Sequence, residues 1–214
     1  MPSGGIRLAR GGGVLVVLFL APSAAAFLVS WLGGPRWLEA AAWSLLFLAA
    51  GMLFFFRDPE REPGPGVPDD RALSPSDGKV VAAREGSEGT FVALYLNLLD
   101  VHVVRAPLEG RLQEVRIIEG GHRRASSAES MANTGAEYTA GGARGVWTLR
   151  MLAGLLVRRV VPYLGTREEV GRGARVGLIR FGSRVETTLP AGYRLLVEPG
   201  QRVRAGETPL AEGP

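Results

Sequence analysis

The chain has 214 residues, of which 46% are hydrophobic, 25 are basic, 21 are acidic and none is cysteine. The absence of cysteine excludes disulfides, thiolate nucleophiles and Cys-ligated metal sites, and the two histidines, His102 and His122, are too few for a three-histidine zinc site. The arginines are scattered and no stacking-aromatic motif accompanies them, so we expect no nucleic-acid partner and no metal.

Two long apolar runs come first in the chain. Residues 14–32 and 40–56 carry no charge, and each is close to the roughly 20 residues that a helix needs to cross a bilayer core. Trp31 and Trp37 flank the Gly/Pro turn between the runs, as aromatic residues do at a membrane interface. We therefore predict a transmembrane helical hairpin over residues 1–56. The alternative is a secretory signal peptide cleaved near residues 23–26.

Basic residues mark the outer ends of this hairpin. Arg7 and Arg10 precede the first run. Arg57 and Arg61 follow the second, and the turn holds only Arg36. Because positive residues favour the cytoplasmic side, both ends of the hairpin are predicted to be cytoplasmic. We expect the chain to be held in the cell (inner) membrane with its larger part in the cytoplasm.

The rest of the chain predicts a β-rich domain. Residues 57–70 form a juxtamembrane motif and a Pro/Gly linker, since Pro63–Pro68 can form neither helix nor central strand. Residues 71–214 alternate β-branched or aromatic runs with turn residues. The predicted strands are Lys79–Ala83, Thr90–Leu96, Val101–Val104 and Leu112–Ile118. The whole chain is predicted to be a β-rich α+β protein.

Three later features refine this fold. His122–Gly145 is polar and predicts a long loop, whereas Trp147–Val161 fits either one helix or two strands divided at Gly154. The segments Val170–Gly173 and Val203–Gly206 both read Val-x-x-Gly. Their spacing is typical of hairpins in flattened β-barrel or sandwich domains of the lipoyl-carrier type, although neither carries an acceptor lysine.

Three segments contain residues that could carry chemistry: Ser74–Gly78, Asp100–Pro107 and Phe181–Arg184. Together they supply an Asp, a His and a Ser, which can form an activated hydroxyl nucleophile. The only lysine, Lys79, follows an Asp-Gly turn and is interpreted as structural. His122 is interpreted as a solvated loop residue, with phosphate binding as the alternative.

These segments, taken in order, resemble a known family. Phe55–Arg61 after a hairpin, Ser-Pro-x-Asp-Gly at 74–78, Asp-Val-His-Val-x-Arg-x-Pro at 100–107 and Gly177–Arg184 are similar to the short form of the phosphatidylserine decarboxylase proenzymes. The resemblance extends from about Phe54 to the C-terminus, and the Gly-Ser segment is its most specific part. The Phe55–Arg61 segment could bind anionic lipid or simply anchor the hairpin.

The resemblance implies a self-cleaving decarboxylase. The Ser183 hydroxyl would attack the Gly182 carbonyl, the chain would break between these residues, and residue 183 would become a pyruvoyl group. Chains 1–182 and 183–214 would stay together as a heterodimer, with higher oligomers possible. The pyruvoyl carbonyl would then serve as the electron sink that converts phosphatidylserine, an anionic membrane phospholipid, to phosphatidylethanolamine.

The same resemblance suggests roles for individual side chains. His102 would be the base for self-cleavage and the proton donor in decarboxylation, and Asp77 would be its orienting carboxylate. Arg180 and Arg184 alternate with Ser183, as on one strand, and would contact the anionic headgroup or form a solvated outer face. Two other functions remain open: a membrane-anchored, carrier-like adaptor without chemistry, and a lipid-binding homologue that does not process itself.

Overall fold

The computed structural model describes residues 7–121, 133–154, 159–180 and 183–214, with only the backbone at Ser183. The chain divides into two compact units that meet in sequence between Pro59 and Glu60. His122 and Gly182 lie outside the described residues.

The first unit is a helical hairpin. Helix α1 (Gly13–Trp31) and helix α2 (Trp37–Phe55) pack against each other, and the Ser23 hydroxyl donates to the Ala42 carbonyl at 2.8 Å. Most of the large apolar side chains on both helices are exposed. The two helices are long and apolar enough to cross a membrane, which is compatible with membrane association.

The two ends of the hairpin lie together. The Ala9 amide donates to the Phe56 carbonyl at 2.8 Å, and the Asp58 amide donates to the Arg7 carbonyl at the same distance. These bonds join the segment before α1 to the segment after α2. Arg7 and Arg57 therefore lie at the same end of the hairpin.

The second unit consists of antiparallel strands. They are β1 (Arg71–Leu73), β2 (Gly78–Gly86), β3 (Gly89–Leu96), β4 (Val103–Arg105), β5 (Gly110–Ile118), β6 (Gly135–Gly142), β7 (Gly145–Ala153), β8 (Val160–Pro162), β9 (Glu169–Val170), β10 (Arg175–Ile179), β11 (Ser183–Leu189), β12 (Arg194–Leu195), β13 (Arg202–Val203) and β14 (Pro209–Glu212). An eight-stranded sheet has the order β13-β2-β3-β11-β7-β6-β5-β9. Two three-stranded sheets have the orders β1-β14-β12 and β4-β10-β8.

The core lies on one face of the large sheet. Tyr138, Trp147 and Leu149 are almost completely buried there. The two aromatic residues also satisfy their polar ends, since the Tyr138 hydroxyl donates to the Val176 carbonyl at 2.7 Å and the Trp147 indole donates to the Glu109 carbonyl at 3.1 Å. Burial raises the pKa of Tyr138 well above its ordinary value, so this hydroxyl remains a donor.

The structure differs from one prediction for residues 122–161 and decides between two alternatives for another. The predicted loop His122–Gly145 is wrong in its second part, because Gly135–Gly142 forms β6 and pairs with β7. Its alternate residues Ala136, Tyr138 and Ala140 are fully buried, but small residues weaken that period-2 signal. In the range Trp147–Val161, residues 147–153 belong to β7 and residues 160–161 to β8, so the described residues form two strands and not one helix, and residues 155–158 lie outside the described residues.

The second unit is built from two matching halves. Half A comprises β1–β3 and β11–β14, and half B comprises β4–β10. The first four strands in the order of the large sheet belong to half A and the last four to half B, and each half adds one three-stranded sheet. Matching hydrogen bonds support the correspondence: Leu73 N to Pro107 O and Arg105 N to Pro75 O, and Val80 N to Gln201 O and Leu112 N to Glu168 O, all at 2.8–2.9 Å.

The Val-x-x-Gly repeat belongs to this duplication. Gly173 and Gly206 have φ values of 76° and 72°, a region that glycine enters without strain, and they follow strands at opposite edges of the large sheet. Their amides donate to the Ala106 and Ser74 carbonyls at 2.9 and 2.8 Å. The broad prediction of an apolar helical hairpin followed by a β-rich domain is confirmed, but hairpins of the lipoyl-carrier type are not.

Candidate active site

Ser183 lies where the chain passes from one sheet to another. Strand β10 ends at Ile179 in a three-stranded sheet, whereas β11 begins at Ser183 in the large sheet. Ser183 pairs with Leu96 on β3 and with Ala153 on β7. Arg180 lies outside both strands and Arg184 lies in β11, so the prediction that these two arginines share one strand is wrong.

His102 is buried beside this crossing point. It has no exposed surface and lies immediately before β4, one residue outside the strand in which the sequence placed it. Its Nδ1 lies 2.8 Å from the Asp100 carbonyl, and its own carbonyl accepts the Ile179 amide at 3.2 Å. Because a carbonyl only accepts hydrogen bonds, this contact puts the proton of the neutral ring on Nδ1 and makes Nε2 the basic nitrogen.

The Asp77 side chain binds the backbone of the segment that contains His102. The carboxylate accepts the Val101 amide at 3.3 Å and the Ala205 amide at 2.9 Å. Asp77 therefore holds the residue directly before His102 and joins it to the turn after β13. The sequence predicts a carboxylate that orients His102, and these contacts connect Asp77 to His102 through the peptide chain.

Arg61 forms a two-point ion pair with Asp77. Its Nη2 donates to Oδ2 of Asp77 at 3.0 Å and its Nη1 donates to Oδ1. Its Nε also lies 3.6 Å from Glu207. The side chain is only 10% exposed, and a buried guanidinium that grips a carboxylate at two points fixes its direction. Sequence analysis assigned Arg61 to the membrane surface, and no local pattern indicated a distant carboxylate partner.

A tight turn connects β3 to His102. The Asp100 carboxylate accepts the Asn97 amide at 2.8 Å and pairs with Arg202, while the Asn97 side chain accepts the Leu99 amide at 2.8 Å. Asp100 thus contacts the imidazole with its carbonyl and uses its carboxylate to close the turn. Side chain–backbone bonds of this kind define such turns.

Arg184 belongs to a row of alternating charges. The residue is 8% exposed, which excludes the solvated outer face considered for it, and its Nε donates to the buried Glu186 at 2.7 Å. Glu186 also accepts from Arg150 at 3.3 Å, and Arg150 lies 3.4 Å from Glu137. Sequence analysis missed Glu186, although its place two residues after Arg184 puts both on one strand face.

Arg180 lies close to a second guanidinium. Its amide donates to the Arg159 carbonyl at 3.2 Å. Burial lowers the pKa of Arg180, and the positive charge of Arg159 lowers it further. Two neighbouring cations beside the crossing point favour an anionic ligand. Among the described residues, no group of three His, Asp or Glu side chains could hold a metal ion.

The family assignment rests on most of the chain. The family model described as phosphatidylserine decarboxylase matches residues 48–211. A phosphatidylserine decarboxylase proenzyme of Streptomyces griseus is 42% identical over 206 residues, covering 96% of this chain and 93% of its own. The proenzyme of the same name from Thermobifida fusca is 42% identical over 205 residues, covering 95% and 92%.

An archaeal relative is also similar. A putative archaetidylserine decarboxylase proenzyme of Halobacterium salinarum is 41% identical over 169 residues, which cover 77% of this chain and 82% of the relative. Both the family model and the bacterial relatives span the Asp77, His102 and Ser183 segments. The chain belongs to the phosphatidylserine decarboxylase family.

Proposed function

We propose that the chain cleaves itself between Gly182 and Ser183 and then decarboxylates phosphatidylserine to phosphatidylethanolamine. One observation carries this function: Ser183 begins a strand that is paired on both sides, and the buried His102, whose basic nitrogen is Nε2, accepts with its carbonyl the amide of Ile179, the last residue of β10. Membership of a family whose relatives are named proenzymes supports both steps.

Self-cleavage needs only groups of this chain and one water molecule. His102 Nε2 takes the proton of the Ser183 hydroxyl, whose oxygen attacks the Gly182 carbonyl. The C–O bond of an ester forms as the peptide C–N bond breaks, and His102 passes the proton to the released Ser183 nitrogen. Loss of a Ser183 Cα proton then breaks the Cβ–O bond and releases chain 1–182 with a carboxylate. Hydrolysis of the resulting enamine liberates ammonia and leaves a ketone, the pyruvoyl group, on residue 183.

The neighbouring residues fit this role. Arg61 fixes the Asp77 carboxylate, and that carboxylate accepts the Val101 amide, so the residue directly before His102 is restrained. The paired strand β11 keeps residue 183 in place after the cut, and chain 183–214 remains in the sheet as one partner of a heterodimer. A pyruvoyl group on residue 183 would supply an electron-poor carbonyl, which is the electron sink that decarboxylation of an amino-acid headgroup needs.

Arg180 and Arg184 are the proposed headgroup contacts. Arg180, three residues before residue 183, lies near Arg159, and two neighbouring positive charges suit a phosphate or a carboxylate. Arg184 is held by Glu186, so its guanidinium can donate to a ligand without reorganisation. The helical hairpin would keep this site at the cytoplasmic surface of the cell membrane, where the lipid headgroup lies.

Intact-mass measurement of the purified chain tests the self-cleavage step. We expect two species, residues 1–182 and residues 183–214, the second starting with a pyruvoyl group. Ser183→Ala should give one uncut species, whereas the control Ser87→Ala, at an exposed turn between β2 and β3, should cleave normally. A single uncut species from the unmodified chain would contradict the proposal and favour an adaptor or a non-processing lipid-binding protein.

A second variant tests the base. His102→Ala should slow cleavage by at least about a thousandfold, within the range of about 10²–10⁴ that a positioned general base contributes. The rate is measured on denaturing gels after expression in a cell-free system. Normal cleavage of this variant would mean that another group removes the Ser183 proton.

A further inference from the structure

The turn that leads to His102 carries two exposed leucines. Leu98 is 48% exposed and Leu99 is 70% exposed. They are the only sequence neighbours among the exposed large hydrophobic residues that the structure describes in the second unit. Because water contact with apolar surface is unfavourable, two adjacent exposed leucines in a tightly bonded turn are a candidate site for contact with an apolar phase.

Basic side chains flank these leucines. One face of the sheet beside the turn carries a row of cross-strand neighbours, one from each of β11, β3, β2 and β13. They are Arg184, Tyr95, Lys79 and Arg202. Lys79 is exposed, and the Arg202 side chain is 61% exposed even though it pairs with Asp100. Cations next to an apolar tip match an anionic membrane surface, where headgroups are negative and the layer beneath them is apolar.

The position of the turn also fits a membrane. Leu96, directly before the turn, pairs with Ser183, and His102 follows the turn by two residues. We propose that Leu98, Leu99, Lys79 and Arg202 form a docking rim that sits in the surface of an anionic bilayer and brings the site to its lipid. This inference rests on the proposed function only in taking a membrane phospholipid as the substrate.

A single fluorescent label tests the contact directly. The chain has no cysteine, so Leu99→Cys and the control Val146→Cys, at a residue that is 52% exposed in half B, each accept one label. The full chain is reconstituted in phosphatidylcholine vesicles with and without phosphatidylglycerol. At position 99 we expect quenching by doxyl-labelled lipid, protection from aqueous iodide, and stronger lipid quenching when phosphatidylglycerol is present. At position 146 we expect quenching by iodide alone.

Other outcomes overturn the docking rim. Full iodide quenching at position 99 would mean that the turn faces water. Protection from both quenchers would mean that a second copy or another protein covers it. The same labels on the Ser183→Ala chain separate the two hypotheses, because lipid contact there does not depend on cleavage. Normal cleavage and turnover together with iodide quenching at position 99 would refute the rim alone.

Activity gives a second readout. Leu98→Ser/Leu99→Ser is compared with the control Ile117→Ser/Val146→Ser, using long-chain phosphatidylserine in vesicles and dihexanoyl phosphatidylserine in solution. The ratio of vesicle to soluble turnover should fall about tenfold for the leucine variant, equivalent to about 1.4 kcal/mol, and should not change for the control. Intact mass confirms that each variant has cleaved, a step that requires the folded site. An unchanged ratio in the leucine variant would contradict the proposal.

Discussion

The two halves of the β-rich unit share one architecture, but the connection between one pair of corresponding strands differs in length. In half B, β6 and β7 are joined at Gly142 and Gly145 by a two-residue turn. In half A, the corresponding strands β3 and β11 meet at Leu96 and Ser183, and residues 97–182, including all of half B, are inserted between them. The candidate site thus occupies the open end of a hairpin that its counterpart keeps closed.

The acidic residues before the first long strand of each half also differ, in their burial and in their partners. Asp77 precedes Gly78 at the start of β2, and Glu109 precedes Gly110 at the start of β5. Asp77 is nearly buried and bonded to Arg61 and two backbone amides. Glu109 is largely exposed and lies 3.8 Å from Arg144. A duplicated scaffold therefore offers two equivalent positions, and only one of them is tied to a buried histidine.

Exchange of each acid for its amide gives the largest expected difference between the halves. Asp77→Asn should slow self-cleavage by about a thousandfold, because an amide cannot keep both the Arg61 pair and the two amide bonds. Glu109→Gln should cleave at the normal rate. Rates are followed on denaturing gels. Equal rates for both variants would remove the functional distinction between the halves.

Substitution of Glu186 should have the next largest effect, a loss of stability. Glu186→Gln leaves Arg184 and Arg150 with an uncharged partner, and we expect the free energy of unfolding to fall by about 3 kcal/mol, as for broken buried ion pairs. Glu137→Gln, in the same row but at a side chain that is 21% exposed instead of 2%, should cost about 1 kcal/mol or less. Urea unfolding in the Ser183→Ala background compares them. A smaller effect at Glu186 than at Glu137 would contradict a supporting role for this carboxylate.

Substitution of the arginine partner of Asp77 should have a moderate effect on the rate of cleavage, and substitution of the arginine partner of Glu109 is the control. Arg61→Gln should slow cleavage by about thirtyfold, and Arg61→Lys should recover part of the rate, since lysine restores the charge but not the two-point contact. Arg144→Gln should have no effect on cleavage. Arg61→Gln should also add little to Asp77→Asn when the two are combined. Additive effects would show that Arg61 acts apart from Asp77.

Substitution of the two repeated glycines should have the smallest effect. The loss in the free energy of unfolding should be similar in the two halves. Gly173→Ala and Gly206→Ala each force a side chain into a left-handed backbone conformation, and we expect a loss of about 1 kcal/mol in each. At Gly206 an added Cβ would meet Arg105 at 3.0 Å, whereas at Gly173 the nearest atom, on Leu73, is 3.7 Å away. Gly206→Ala should therefore be slightly worse in urea unfolding. No loss in either variant would argue against the shared turn.

Local patterns explain which features the sequence could predict. The helical hairpin and strands such as β3 follow from apolar runs of characteristic length, and the Asp, His and Ser segments follow from motif order. The pair Arg61–Asp77 and the row Arg184–Glu186–Arg150 could not be predicted in this way, because they join residues that only the folded sheet brings together. The duplication was visible as one short repeat, since its two halves share turn geometry far more than residue identity.

The central place of β11 in the large sheet has a consequence for the mature protein. This strand lies between β3 of its own half and β7 of the other, so it forms the seam that joins the two halves. After the proposed cut, the small chain could leave only if that seam opened along its whole length. The two products would therefore lose their structure in one concerted thermal transition, as if the backbone were still continuous.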